Sequence, residues 1–201
     1  MINIRRRYGG LFDHFAQYLI SHARRRPCDF VIGGEREPYM LRWWLTPWSG
    51  WYRDIKEVDL TWWQWLITRL PGAYLHRILR SDDDRALHDH PWCNISILLE
   101  GQYVEHVILP GGIHERTFRQ AGAVTARWAK TAHRLEIIAP VVGYRNNIAL
   151  YGPHIRAWSL FLFGFRLRQW GFHCPERGWV HWREFTNPAD GGATVRKGCG
   201  P

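Results

Sequence analysis

From residue 73 to about 185 the chain is a series of short apolar runs: YLHRILR, CNISILLEG, YVEHVILP, AVTARWA, HRLEIIAP, IRAWSLFLFGFRLR and GWVHWREF. Gly or Pro interrupts them at 101, 110–112, 122, 140, 143, 152–153, 171, 175 and 178. Short β-rich runs with no helical pattern between them predict an all-β sandwich or barrel of the double-sheet jelly-roll kind. The first 72 residues are patterned differently. In 11-LFDHFAQYLISHA-23, Leu11, Phe15, Tyr18, Leu19 and His22 fall at helical spacing, which predicts a short amphipathic helix. A second helix is predicted over 58-VDLTWWQWLITRL-70, with Thr61 as its cap and Pro71-Gly72 ending it. Three segments follow: a helical, Trp-rich extension (1–72) that packs on the barrel, a β-barrel (73–185), and a polar, Gly-rich, flexible tail (186–201).

Thirteen tryptophans enlarge the packing problem. Several sit in 39-YMLRWWLTPWSGWY-52, read as a loop or a pair of short strands; they either fill an aromatic core layer or make a stacking wall for a planar ligand. The net charge of +9 is drawn largely from 5-RRR-7 and 24-RRR-26. These clusters read as a solvated basic arm, with phosphate or anionic lipid as the other reading. No nucleic-acid-binding signature accompanies them. Cys28, Cys93, Cys174 and Cys199 show neither CxxC spacing nor disulfide-scaffold density, which predicts free thiols in a reducing compartment. The start of the chain interrupts its apolar positions with Asp, His and Gln, so neither a signal peptide nor a spanning helix is expected, and the expected location is cytoplasmic.

Chemistry concentrates in 88-HDHPWCNISILLEG-101. On a strand, His88, His90, Trp92, Asn94 and Ser96 share one face while Cys93, Ile95, Ile97 and Leu99 share the other. A polar, aromatic face backed by an apolar one suits a lined cavity, where imidazoles two residues apart can converge on a metal. His133, in 131-TAHRLEII-138, is the best third donor. Asp89 points away and is at most an outer contact.

This spacing resembles the cupin superfamily. Its first motif is Gly, five residues, His-x-His, three or four residues, Glu, six residues, Gly. Here His88 and His90 form the pair, Asn94 stands where the Glu falls, Gly101 closes the motif, and position 82 lacks the opening Gly. In the second motif Gly122 opens and His133 is the histidine, with Trp128, Lys130 and Ile137 replacing Pro, Gly and Asn. The resemblance, over roughly residues 40–185, implies a cupin-type double-stranded β-helix. It also implies a three-histidine centre of His88, His90 and His133, with Asn94 outside it or a weak fourth donor. Thiol dioxygenases of the superfamily likewise use three histidines without the Glu. The wider pattern looks like an uncharacterised cupin family of bacteria and phages.

Three imidazoles suit Fe(II), with Mn(II), Ni(II) or Zn(II) as other occupants. Glu105 is a candidate general base or a partner of a ligating imidazole; Arg127 is a candidate fork for a substrate carboxylate or phosphate, ahead of Arg77, Arg80 and Arg134. Trp92, Tyr103, Asn94 and His173 are expected in the pocket or as outer partners of its histidines, and His106 on the opposite face. The adjacent His173 and Cys174 point apart, which argues against a nucleophilic dyad. The acidic turn 82-DDD-84 lacks a calcium-loop pattern. The expected function is a metal-dependent oxidoreductase, dioxygenase-like, acting on a small organic substrate, in a chain that could form a homodimer. The alternatives are a cupin-like small-ligand or nucleotide binding module, and an interaction protein of a phage or bacterium.

Overall fold

The computed structural model describes residues 10–33, 36, 38–50, 61–67, 69–82, 86–139, 141–145, 148–151 and 156–200. The Arg cluster at 5–7, residues 83–84 of the acidic turn and residues 58–60 and 68 of the second predicted helix lie outside them.

Short strands dominate, as the punctuated apolar runs require. One antiparallel sheet has the order β1-β2-β3-β12-β5-β8 and the other β14-β13-β4-β9-β6-β7. The first comprises β1 (Phe30–Ile32), β2 (Met40–Trp44), β3 (Gly72–Ile78), β5 (Asn94–Glu100), β8 (Val124–Arg127) and β12 (Ala157–Phe163). The second comprises β4 (Leu87–His88), β6 (Gln102–Leu109), β7 (Ile113–Gln120), β9 (His133–Glu136), β13 (Gly171–Cys174) and β14 (Gly178–His181). A separate hairpin joins β10 (Val141–Arg145) to β11 (Ile148–Tyr151). The two large sheets face each other as a jelly roll: Ile78, Leu98 and Ala157 of the first share a core with Tyr103, Leu135 and Ile137 of the second. Gly101 turns β5 into β6 at φ +87°, and a Cβ there would meet Arg156 O at 2.7 Å. Both the left-handed backbone and the close approach demand glycine.

The segment before residue 73 is not simply laid against the barrel. β1 and β2 are strands of its first sheet, with Arg42 paired to His76 and Trp44 to Tyr74. The reason lies in 40-MLRWW-44, whose alternation presents Met40 and Trp43 to opposite packed surfaces. The helix predicted over 11–23 is present as α1 (Gly10–Arg24), but it is rotated so that only Leu19 of the predicted stripe packs against the core. Leu11, Phe15 and Tyr18 are exposed, and the buried stripe is Ala16, Ile20 and Ala23. Small residues let the helix backbone come close to the outer face of the first sheet, where it covers Trp43, Leu75, Leu99, Trp158 and Leu160. Trp43 and Trp158 stack there at 5.2 Å. Ile20 is 0% exposed, so Ile20→Ala should cost about 2–5 kcal/mol in urea unfolding. Leu11→Ser, at a position 90% exposed, should stay within about 0.5 kcal/mol of the parent.

The second predicted helix is observed over Trp62–Ile67. Thr61 precedes it, and its N–H and hydroxyl both donate to Gln64 Oε1, at 3.0 and 2.8 Å. Its Trp62, Trp63 and Trp65 are exposed, so these tryptophans do not join the core layer. In the second Arg cluster Arg26 pairs with Asp29 at 2.8 Å and Arg24 lies 3.9 Å from Glu100, which ties part of that cluster into the fold.

Two expectations are corrected at the C-terminal end. Cys174 and Cys199 form a disulfide, while Cys28 and Cys93 are free. Residues 186–200 are accordingly tied back: Val195 bridges Thr186, and Asn187 and Asp190 hold a turn through Ala189, Ala193 and Thr194. The bridge removes the argument from free thiols for a reducing compartment. Among the described residues no helix is long and apolar enough to cross a membrane.

Candidate metal centre

His88, His90 and His133 come together: each offers a ring nitrogen, all within 4.8 Å of one another. Pairing in the second sheet brings this about. β4 and β9 are neighbours with His88 directly opposite His133, and β9 is anchored on its other side by Val107 of β6. His90 lies in the loop after β4, held by the bond from its own N–H to Ala129 O at 3.1 Å. The strand alternation expected through residues 88–96 therefore breaks at residues 89–93 and resumes at Asn94.

Asp89 shows what holds the break in place. It is 0% exposed, accepts from Gly171 N at 2.8 Å and Trp179 Nε1 at 3.0 Å, and is bound by Arg168. His173 reaches it through Nε2 at 3.2 Å. His173, expected either in the pocket or behind its histidines, lies behind the segment that bears His88 and His90. Phe172 takes the inward position beside His88, with ring centroids 6.0 Å apart. Cys174 is in the disulfide and offers no thiol.

Glu105 is the buried hinge of the polar interior. Its Oε1 lies 3.0 Å from His133 Nδ1 and 2.6 Å from Arg127 Nε, and its Oε2 lies 3.2 Å from Arg119 Nε. Burial alone would raise its pKa; the His133 hydrogen bond and the Arg127 charge outweigh that and hold it at about 2. An ionised Glu105 accepts the Nδ1 proton of His133, which leaves the Nε2 lone pair pointing at His90 Nε2, 2.9 Å away. Glu105 therefore positions an imidazole from the side away from the triad, and so low a pKa makes it a poor general base at neutral pH. Arg127 is likewise committed: it is buried against Glu105 and lies 3.4 Å from Asn94 Oδ1, so the substrate fork expected there is occupied by the protein's own carboxylate. Asn94 spends its Oδ1 on that contact with Arg127.

Tyr103 is 2% exposed in the core between the sheets, and Trp92 packs on Phe163 at 4.7 Å and on Tyr74 at 6.4 Å. An open cleft of about 540 Å³ borders Asn94, Arg127, Trp128 and Phe163. His106 is on the opposite face, as expected, but is buried there between His114 at 2.9 Å and Glu136 at 2.7 Å. Arg134 lies on that outer face against His106, and Arg77 on the outer face of the first sheet over Trp158.

Sequence reasoning missed Arg42 and His76. Arg42 Nε donates to His76 Nε2 at 2.9 Å, and its guanidinium lies 4.5 Å over the Tyr74 ring. The available signal was the lone charged residue in the otherwise apolar 40-MLRWW-44.

The donor set fits a divalent metal. Burial lowers His90 well below the ordinary histidine range, helped by the crowding of the neighbouring imidazoles and by the charges of Arg127 and Arg42. Burial and then Arg127 bring His133 down to about 3, against the upward pull of the Glu105 hydrogen bond. Both rings are neutral at neutral pH, the form that binds a metal. Two imidazole nitrogens at about 2.1 Å from one ion and at right angles lie about 3.0 Å apart, close to the observed His90–His133 separation.

The same shifts set the acid stability of the metal-free chain. His133 titrates near 6.5 unfolded but at about 3 folded, so the unfolded state gains the proton first and stability falls as pH drops below about 6.5. Glu105, at about 2 folded against 4.5, adds a loss of the same sign at lower pH. Thermal midpoints of metal-free protein should decline from roughly pH 7.5 to 4.5. A flat profile over that window would contradict the neutral, buried imidazole.

No family model matches the chain, and no curated protein does. Solved structures are similar to it. One is oxalate decarboxylase from Bacillus subtilis, at 13% identity over 62% of this chain and 27% of that one, with TM-score 0.37. Another is the Fe(II) form of HppE, at 12% identity over 67% of this chain and 55% of that one, with TM-score 0.40. A further structure of the Bacillus subtilis decarboxylase concerns its Mn(II) centres; it has 14% identity over 53% of this chain and 24% of that one, with TM-score 0.36. The chain spans less than two thirds of the length of each. The likeness is one of β architecture, at identities that say nothing of substrate or reaction. Two facing antiparallel sheets with an N-terminal helix make this chain a mostly β jelly roll.

Proposed function

We propose that the chain is a mononuclear metal-dependent enzyme of the cupin kind, acting as an oxidoreductase on a small organic substrate. The observation that supports this is the convergence of His88, His90 and His133 on one point inside the barrel. Three imidazole donors leave coordination positions open, and Fe(II) is the favoured ion, ahead of Mn(II), Ni(II) and Zn(II). When bound, such an ion supplies Lewis acidity and, for iron, redox chemistry at those open positions. The protein's own part is to hold the rings. Glu105 fixes the His133 tautomer, the Asp89 knot fixes the segment bearing His88 and His90, and Phe161 and Phe172 wall the rings with apolar surface.

A second reading has a specific observation behind it. The His90 and His133 nitrogens are at hydrogen-bonding distance, so the triad could be a closed polar cluster in a module that binds a small ligand without turning it over. Elemental analysis of anaerobically purified, untagged protein separates the two. The enzyme reading expects about one metal ion per chain. Protein that stays metal-free after refolding with Fe(II), Mn(II), Ni(II) or Zn(II) would leave only the second reading.

A further inference from the structure

One long strand edge is left open. The second sheet ends at β7, which pairs with β6 on one side and, among the described residues, with no strand on the other. The other three sheet edges are short: β1 has three residues, and β8 and β14 have four each. β7 has eight. An open edge of that length carries a row of unpaired N–H and C=O groups, a template for a further strand.

Which groups face outward follows from the ladder. Ala121 N donates to Gly101 O at 3.0 Å, next to the last β6–β7 pair, Gln102 with Gln120. Bonding alternates along an antiparallel pair, so Glu115, Thr117 and Arg119 turn their backbone groups to β6, whereas His114, Arg116 and Phe118 turn theirs to the open edge.

Charged side chains on an edge usually keep a second copy away. On β7 their order favours one. Consider a two-fold antiparallel pair of this strand with itself, in 113-IHERTFRQ-120. An axis at Glu115, Arg116 or Arg119 sets a charge against its own copy, and an axis at Phe118 sets Glu115 opposite Ala121. An axis at Thr117 sets Glu115 opposite Arg119 twice and Arg116 opposite Phe118 twice. Carboxylate then meets guanidinium on one face of the sheet, and on the other a guanidinium meets the ring of Phe118, which is 51% exposed in the single chain. The same axis matches the open backbone groups, because Arg116 and Phe118 exchange N–H and C=O across it.

We propose that β7 is the interface between two copies of this chain, which join edge to edge in an antiparallel β7 pair centred on Thr117 and extend the second sheet across the dimer. Each Arg119 then has two carboxylates, Glu105 of its own chain and Glu115 of the second copy. The interface touches the buried polar interior through that side chain alone. β6 separates it from the strand that bears His133, so the dimer does not depend on the metal centre.

Sedimentation velocity on the full chain over about 1–200 µM tests the interface, a range suited to the small area one strand pair buries. The parent should pass from monomer to dimer within it. Phe118→Pro removes an outward N–H without breaking a β6–β7 bond, and should leave a monomer whose circular dichroism matches the parent's. Glu115→Lys sets like charges opposite each other and should weaken the dimer at least about tenfold; it decides the matter if the proline variant does not fold. Cross-linking with a copper–phenanthroline oxidant reads the register. Thr117→Cys places two thiols across the axis, at a Cα spacing of about 4.5 Å that suits a disulfide, and should give a covalent dimer. Glu115→Cys places them about 14 Å apart and should not. The parent, in which Cys28 and Cys93 are free, gives the background. A parent that stays monomeric throughout, or a dimer that Phe118→Pro and Glu115→Lys both leave intact, would overturn the proposal. Cross-linking through Glu115→Cys in preference to Thr117→Cys would overturn the register.

Discussion

Replacing His133 with alanine is expected to strip the metal from the protein while leaving a folded barrel. The variant removes one of three donors, and the remaining pair is carried by a strand end and a loop. Loss of an outer partner of a metal ligand costs about 10–100-fold in affinity, so loss of a ligand should exceed about a hundredfold. The fold should survive because Glu105 keeps Arg127 and Arg119 as partners when His133 is gone. Elemental analysis gives the metal content and circular dichroism the fold. Metal content equal to the parent's would mean that His133 is not a ligand.

The second large effect is expected at Glu105. Glu105→Ala leaves Arg127, 7% exposed, buried without its counter-ion, and breaking such a pair costs about 3–5 kcal/mol. Glu105→Gln should be milder, because the amide oxygen can still accept the Nδ1 proton of His133. With the charge lost and the ring less firmly held, metal affinity should still drop by about 10–100-fold. Urea unfolding and metal titration on the two variants separate the brace from the tautomer control. An alanine variant as stable as the parent would show that the Glu105–Arg127 pair is not what braces the interior.

The grouping of the histidines was legible from spacing: His-x-His followed by a turn glycine, then a third histidine in a later strand. The partners of those residues were not, because they are set by which strands become neighbours. Glu105 meets His133 only because β6 lies beside β9, and it meets Arg127 across the interior from the other sheet. Arg127 therefore read as available for substrate when it is bound within the protein. In α1, two stripes share helical spacing, and periodicity alone cannot say which one faces the sheet. The larger side chains drew the prediction, yet close packing on Trp158 favoured Ala16, Ile20 and Ala23. The strands before residue 73 were hidden by tryptophan, which suits a loop, a helix or a sheet equally. The Cys174–Cys199 link had no density of cysteines to announce it.

The three histidines all come from the second sheet and the loop that leaves it, whereas Arg42, Tyr74, His76 and Phe161 all come from the first. The barrel therefore has one wall that carries the histidine triad and a facing wall drawn from other strands. Randomising positions 42, 74 and 76 would change the facing wall without replacing any residue of the triad. Selection could diversify the facing half of such a scaffold over many generations while the other half stayed unaltered, so two descendants could share the triad and have no preferred ligand in common.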